Sequence, residues 1–357
     1  MAMRGAGRKV LATWGLVMSL LVLALSATAC AVSVPPTPTA TKRAPTPTAQ
    51  PIGAVTQYPL PQASSLPGGI VGGPDGALWF AEFRTDLIGR ITTSGVLNEF
   101  PLPHPHSGAN GLSGLGSLAV GPDGAIWFTE SNTDRIGRLT TSGAFLEYPL
   151  PHAHSGPAGV AAGPDGALWF CESDANRIGR ITTRGVISEY ALPHADSGVG
   201  EIVAGPDGAL WFTEVHANRI GRITITGAIT EFPIPTADSL PADITAGPDG
   251  ALWFTEEAAN QIGRITTAGV IIEFMMPKGG SDPLSITAGP DGALWFTEVA
   301  PGFGNGRSIG RITTRGAITE FKLPDVNSIA IDIAAGSDGN LWFTDKTGNQ
   351  IGRMIAK

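Results

Sequence analysis

The sequence predicts an all-β fold: a seven-bladed β-propeller of four-stranded blades, closed by an N-terminal strand that completes the last blade. Three observations predict it. Within 357 residues, the string Gly-Pro-Asp-Gly-Ala-Leu-Trp-Phe or a close variant begins at Gly73, Gly121, Gly163, Gly205, Gly247, Gly289 and Gly336, at spacings of 48, 42, 42, 42, 42 and 47. A steady period of this size marks a repeat architecture. Each unit reads as four short strands, and that pattern repeated seven times is the signature of a propeller. The last unit stops after its third strand, Gln350–Ile355, and its missing fourth lies at the start of the array, where Val55–Leu60 matches Ile229–Ile234.

The fourth unit shows the elements in order. Gly200–Ala204 is the first strand, and Pro206-Asp207-Gly208 turns the chain. Ala209–Glu214 is a near-continuous apolar run, as expected of a strand buried on both faces. Arg219–Thr224 is the third strand, Thr226-Gly227 reads as a two-residue hairpin turn, and Ala228–Phe232 is the fourth. Seven of the eight Trp fall at one position of the unit, from Trp79 to Trp342, and are assigned to blade packing. Cys171 replaces a Thr of the repeat and reads as a buried small side chain.

The two ends differ in character. Residues 1–30 read as an export signal: Arg4, Arg8 and Lys9 precede the apolar run Val10–Leu25. Ala27-Thr28-Ala29-Cys30 then fits a small-residue cleavage site and resembles a bacterial lipoprotein box, with Cys30 as the lipidated residue. Plain secretion would use the same cut. Residues 31–53 are Pro/Thr-rich, too poor in apolar bulk to build a core, and read as an extended linker. The propeller is expected over 54–357. The expected location is outside the cell, as a surface lipoprotein or a secreted protein. Any membrane contact is expected through a lipid anchor alone.

Charge excludes one class of partner. Five of the 23 Lys/Arg and none of the 31 Asp/Glu precede residue 54, so the propeller carries 18 bases against 31 acids, a net −13. No basic field exists to hold a nucleic-acid backbone. Two Cys allow no disulfide framework. The expected partner is a small-molecule or peptide-like ligand, bound by a monomer.

Repetition separates scaffold from site. Arg90, Arg138, Arg180, Arg222, Arg264 and Arg311 each precede a Glu by nine residues (Glu99 to Glu320), a spacing that predicts cross-strand ion pairs over a two-residue turn. In a propeller the Gly-Pro-Asp-Gly and Thr-X-Gly turns share one face. The loops between second and third strands and the blade-to-blade crossovers share the other. Length additions at Ser107–Gly116 and Val299–Arg307, and all six His, fall on this crossover face. His104, His106, His152, His154 and His194 lie in three successive crossovers, and His216 in the fourth unit's loop. His is a general acid/base and a metal ligand near neutral pH, so His152, His154 and His216 are candidate ligand-binding residues. The same face carries Glu82, Glu130, Glu172, Glu214, Glu256, Glu298 and Asp345, expected to bond neighbouring loop backbone or Arg. Acids confined to single blades, Glu201, Asp243, Asp282 and Asp332, are expected at the channel mouth, with Glu201 and Asp243 as ligand contacts.

The unit Gly-Pro-Asp-Gly-Ala-Leu-Trp-Phe-Thr-Glu, followed by Asn-Arg-Ile-Gly-Arg-Ile-Thr and Ile-Thr-Glu-Phe-Pro-Ile-Pro, resembles the streptogramin B lyases over roughly 54–357. The resemblance implies a seven-bladed propeller. It implies the opening of a cyclic depsipeptide at its ester by elimination, with Mg²⁺ or another divalent cation and a His general base. In the family those His follow a Pro, in segments like Pro-His-Ala-Ile and Glu-Pro-His-Gly-Ile. Here the matching segments read Pro67-Gly68-Gly69-Ile70, Pro157-Ala158-Gly159-Val160, Pro241-Ala242-Asp243-Ile244 and Pro283-Leu284-Ser285-Ile286, with Asp282 before Pro283, and none has the His. On the resemblance, Glu256, Glu298 and Asp282 are the candidates for metal ligation or proton transfer. Two other readings stand beside the lyase: a non-catalytic extracellular binding propeller, and a metal-dependent lactonase-like hydrolase.

Overall fold

The computed structural model describes residues 50–103, 115–299, 307–325 and 327–357. The export signal with Cys30, most of the linker, His104, His106 and the bulk of both loop additions lie outside the described residues. Seven antiparallel sheets of four strands form the propeller, and the first strands of neighbouring blades adjoin one another around the channel.

In blade 4 the strands are Val199–Ala204, Ala209–Glu214, Arg219–Thr224 and Ile229–Pro233. The second strand is buried at every position, as its unbroken apolar run requires. Blade 7 is completed by Val55–Pro59, which pairs antiparallel with Gln350–Met354 from Val55↔Met354 to Pro59↔Gln350. The ring therefore closes with one strand from the start of the propeller and three from its end.

Apolar packing runs between blades. Trp79 of blade 1 packs with Leu118, Ile126, Phe128 and Leu139 of blade 2, and Trp169 of blade 3 with Ile202, Leu210 and Phe212 of blade 4. The closing interface follows the same rule, with Trp342 among Ile70, Leu78, Phe80 and Ile91. Each Trp stacks on the aromatic residue of its own fourth strand, as Trp211 does on Phe232 at 5.5 Å. That aromatic ring also covers the turn glycine of the next blade. At Gly269 φ is +85°, and a Cβ there would overlap the Phe232 ring. Both the backbone conformation and the space demand glycine.

The Arg–Glu pairing expected from the nine-residue spacing does not occur. Arg90 stands opposite Asn98, and Glu99 opposite Gly89. The cause is the turn. Thr92 N–H donates to Val96 O at 2.9 Å, so Thr93, Ser94 and Gly95 form a three-residue loop, with Gly95 at φ +90°. One extra loop residue slips the register by one and sends the two side chains to opposite faces. The arginines pair instead with the Asp of the Gly-Pro-Asp-Gly turn. Arg90 Nε lies 2.6 Å from Asp75 Oδ2, Asp75 Oδ1 accepts the Trp79 indole N–H at 3.1 Å, and the guanidinium lies 5.8 Å from the Trp79 ring centre. All seven blades carry this Asp–Trp–Arg clasp, down to Asp338, Trp342 and Arg353.

Closure depends on one strand. Deleting Ala54–Pro61 should expose the edge of Gln350–Met354 and uncover Trp342, on which Tyr58 stacks at 5.4 Å. The expected outcome is a clear fall in thermal midpoint with loss of a single cooperative transition, followed by circular dichroism.

Candidate functional site

The site follows from one position in the repeat. The third residue of each first strand is Gly69, Ser117, Gly159, Glu201, Asp243, Ser285 and Asp332 in blades 1 to 7, and all but Gly159, which Glu201 covers, line the channel mouth. Five of the seven blades share one support for it. A Thr near the end of the second strand accepts the backbone N–H of this residue, as Thr213 Oγ1 does from Glu201 at 3.0 Å and Thr255 Oγ1 from Asp243 at 3.0 Å. In four of them its hydroxyl also donates to the next blade's first strand: Thr213 to Ala242 O, Thr255 to Leu284 O. The channel-facing residues are thus fixed by both their own blade and its neighbour.

Around them lies a cavity of about 430 Å³ at the crossover-face mouth of the channel. Glu201, Asp243, Asp332, Ser117 and Ser285 supply its polar groups, and Phe83, Ala158, Ala242, Leu284 and Ile331 its apolar wall. Asp243 accepts the N–H of Ile244 at 2.6 Å and of Ile286, in the next blade, at 2.8 Å. Asp332 accepts the N–H of Ile70, across the ring closure, at 2.7 Å, and the hydroxyl of Ser285. Burial pushes the carboxyls of Glu201, Asp243 and Asp332 above their ordinary range. Mutual repulsion adds to this: Asp243 and Asp332 act on Glu201, and Asp332 on Asp243. Among the described residues no Lys, Arg or His lines the cavity.

The sequence-predicted residues divide. Glu201, Asp243 and Asp332 come together as expected at the mouth. Asp282 does not line the cavity; it faces Glu257 of the preceding blade and has φ +44°. The four described histidines lie outside it. His152 Nδ1 is 2.8 Å from Glu189 Oε2, and His194 forms the equivalent contact with Glu231; both side chains are 52% exposed. His154 donates its backbone N–H to Asp134 at 2.8 Å, and the His216 ring covers Gly198. Phe83 was not singled out from the sequence. It follows Glu82 where other blades carry Ser, Val, Glu or Lys, and its ring fills the space a Cβ on Gly68 would need.

Glu256 and Glu298 are buried within their blades, away from the cavity. Register explains their neighbours. Phe254 faces Gly263 and Gly263 faces Glu273, so Glu256, two residues beyond Phe254, shares a face with Glu273. Burial first, and the Glu273 charge second, push Glu256 up to about 8. Glu298 reaches about 8 beside Glu320, and Glu172 and Glu214 about 7 beside Glu189 and Glu231. The expected backbone bonds occur at Asp345, which accepts the N–H of Ile329 and Gly348. In the four glutamates pushed up to about 7 or 8, the dominant neighbour is a second carboxyl rather than an Arg; burial also raises Glu82, where the Ser65 hydrogen bond outranks the Glu99 charge. Polar neighbours remain: Ser155 and Arg177 at Glu172, Ser197 and Arg219 at Glu214, Ser239 at Glu256, and Lys278 and Ser281 at Glu298.

Fold and site together define a closed propeller with a carboxyl-lined cavity at one mouth of its channel. The particular family is also clear. The virginiamycin B lyase family model matches residues 48–113 and 109–301, and the chain belongs to that family. A streptogramin B lyase structure is similar with a TM-score of 0.79 and 40% identity, covering 85% of this chain and 98% of that one. A catalytically inactive His-to-Ala variant of virginiamycin B lyase from Staphylococcus aureus, solved with quinupristin, is similar with a TM-score of 0.78 and 40% identity, over 85% and 99% of the two chains. The virginiamycin B lyase of Bordetella parapertussis is 38% identical over 50 residues, a stretch of only 14% of this chain and 17% of that protein's length.

The paired glutamates make stability depend on pH. Each has a folded pKa raised above its ordinary 4.5, so its contribution is full below about 4.5 and is lost as pH rises through 7 to 8. The turn aspartates act at the other end. Burial alone would raise Asp75, but the bonds from Trp79 and Arg90 outweigh it and hold the carboxyl low. The thermal midpoint should therefore be highest under mildly acidic conditions and fall between pH 5 and 9. Glu256→Gln with Glu298→Gln should flatten that fall in a pH series of melts.

Proposed function

We propose that the protein is an exported binding propeller that holds a cyclic, peptide-like ligand in the channel-mouth cavity. The lining carries this reading. At the segments that match the family's Pro-His pattern, Gly68, Ala158, Ala242 and Leu284 follow the proline, and the last three line the cavity. A binding pocket with an apolar wall and a few fixed polar groups needs no histidine. The likeness to a lyase structure solved with quinupristin supports a cyclic depsipeptide as the first probe.

One observation favours a second reading, elimination at the ester of such a ligand. A carboxylate held above its ordinary pKa is a stronger base, and Glu201 and Asp243 are so held at the cavity. In elimination the base removes a proton, the adjacent carbon–oxygen bond breaks, and the ester leaves as a carboxylate, giving a linear isomer of unchanged mass. Magnesium, implied by the resemblance, finds a poor fit here. Among the described residues no group of three His, Cys, Asp or Glu side chains, the three cavity carboxyls included, is arranged to hold a metal ion, and Glu298 is already packed against Glu320 and Lys278. No step is routed through it.

Titration calorimetry of the full chain with quinupristin tests both readings. The expected result is saturable binding with the drug recovered in cyclic form. A chromatographically shifted isomer of equal mass would favour elimination, and a product heavier by one water would favour the hydrolase. Absence of both binding and turnover would overturn the proposal. Replacing His152, His154 and His216 together by Ala should leave affinity within about twofold, as for surface substitutions away from a site. For location, Cys30→Ala should move the protein from the membrane fraction to the soluble one; unchanged fractionation would reject the lipid anchor.

A further inference from the structure

The cavity is polarised around the ring. Blades 4, 5 and 7 bring Glu201, Asp243 and Asp332 to it, while blades 1 and 3 bring only glycine at the same position. Phe83 of blade 1 stands on the side facing blades 4 and 5 by the order of the ring, and Leu284 and Ile331 extend the apolar surface. The Glu201 side chain reaches across Gly159, where a Cβ would collide with its carboxylate. The Ser117 hydroxyl meets the same carboxyl. Three carboxyls thus share a small volume, and among the described residues no Lys, Arg or His lines it.

We propose that this cavity selects an organic ammonium: a primary or secondary amine on an apolar body, donating its N–H groups to Glu201 and Asp243 while the body lies against Phe83 and Leu284. The inference rests on the reading of the cavity as the ligand site and names the class of ligand it takes. Two features favour an ammonium over a bare metal ion. The oxygens of Asp243 and Asp332 already accept four backbone N–H groups and a serine hydroxyl, and the few acceptor sites left fall short of the about six oxygens a bare divalent ion demands. An ammonium needs only one or two further acceptors per group, which a carboxylate with four lone-pair sites still offers. The aromatic and aliphatic wall then has a use that a hydrated metal ion would not give it, since an apolar body and a cation both gain beside an aromatic ring.

The test compares 2-phenylethylamine with its neutral isostere 2-phenylethanol on the full chain, by ligand-observed NMR titration, with magnesium chloride as a third probe. The amine should bind at least ~10-fold more tightly than the alcohol, as hydrogen bonds to charged groups allow. Glu201→Gln should remove most of that preference while leaving the alcohol's affinity unchanged. Phe83→Leu should weaken both organic probes and keep the preference; it stands as the second variant should Glu201→Gln lower the melting temperature. Equal affinity for amine and alcohol would overturn the ammonium inference and leave the cavity as a ligand site. So would magnesium that saturates and displaces the amine. No binding of either organic probe, with quinupristin also unbound, would undo the site itself.

Discussion

A four-stranded blade has two apolar faces and covers neither alone. Everything else in the molecule follows from that constraint. The buried second strand, from Leu210 to Glu214, packs one face against the preceding blade and the other against the following one. Seven blades remove the problem only if the ring closes, because an open ring leaves two faces bare. Val55–Pro59 is therefore as necessary to the core as any second strand, although its own residues are half-buried or exposed. The Asp–Trp–Arg clasp sits at the turn end of each interface and orients the indole that fills it. Its ion pair is half exposed and worth little by itself. What matters is that the buried Trp N–H has a partner, since an unpaired one would cost about 1–3 kcal/mol.

Much of this was legible in the sequence, because a repeat multiplies each weak signal by seven. The period, the strand count and the displaced closing strand are all one-dimensional properties. Side-chain partners were not legible, because they depend on register. The Arg–Glu assignment failed on a single loop residue: Gly95 in the left-handed region admits three residues where two were counted. The same slip hid the carboxyl pairs. Once Glu273 is opposite Gly263 it must share a face with Phe254 and Glu256, which the spacing alone did not disclose. The histidines misled for a related reason. A loop residue can be assigned to a face of the propeller from its position, but the direction of its side chain is set by bonds such as that of His152 to Glu189. The cavity acids were found because the right comparison is one position across seven blades. Phe83 obeys the same logic one loop further on and could have been found by it.

The asymmetry of the site is bounded by the symmetry of the frame. A propeller can vary a residue in one blade only where the ring does not need it in all. The third position of the first strand satisfies that condition, yet two of its acids are also structural. Asp243 ties blade 5 to blade 6, and Asp332 ties blade 7 to blade 1 across the closure. Their hydrogen bonds fix where their carboxyls point, so their geometry at the cavity is set before any ligand arrives. Glu201 is the exception. The blade before it carries Cys171 in place of the bridging Thr, and a thiol is too weak a hydrogen-bonding group to hold both partners that Thr213 and Thr255 hold. Blade 3 also has Gly159 at the channel, over which the Glu201 side chain extends. Two small replacements in one blade thus make room for the longest acid of the next. The cavity is most adaptable where the scaffold gives up a bridge, and most rigid where a carboxyl closes the ring.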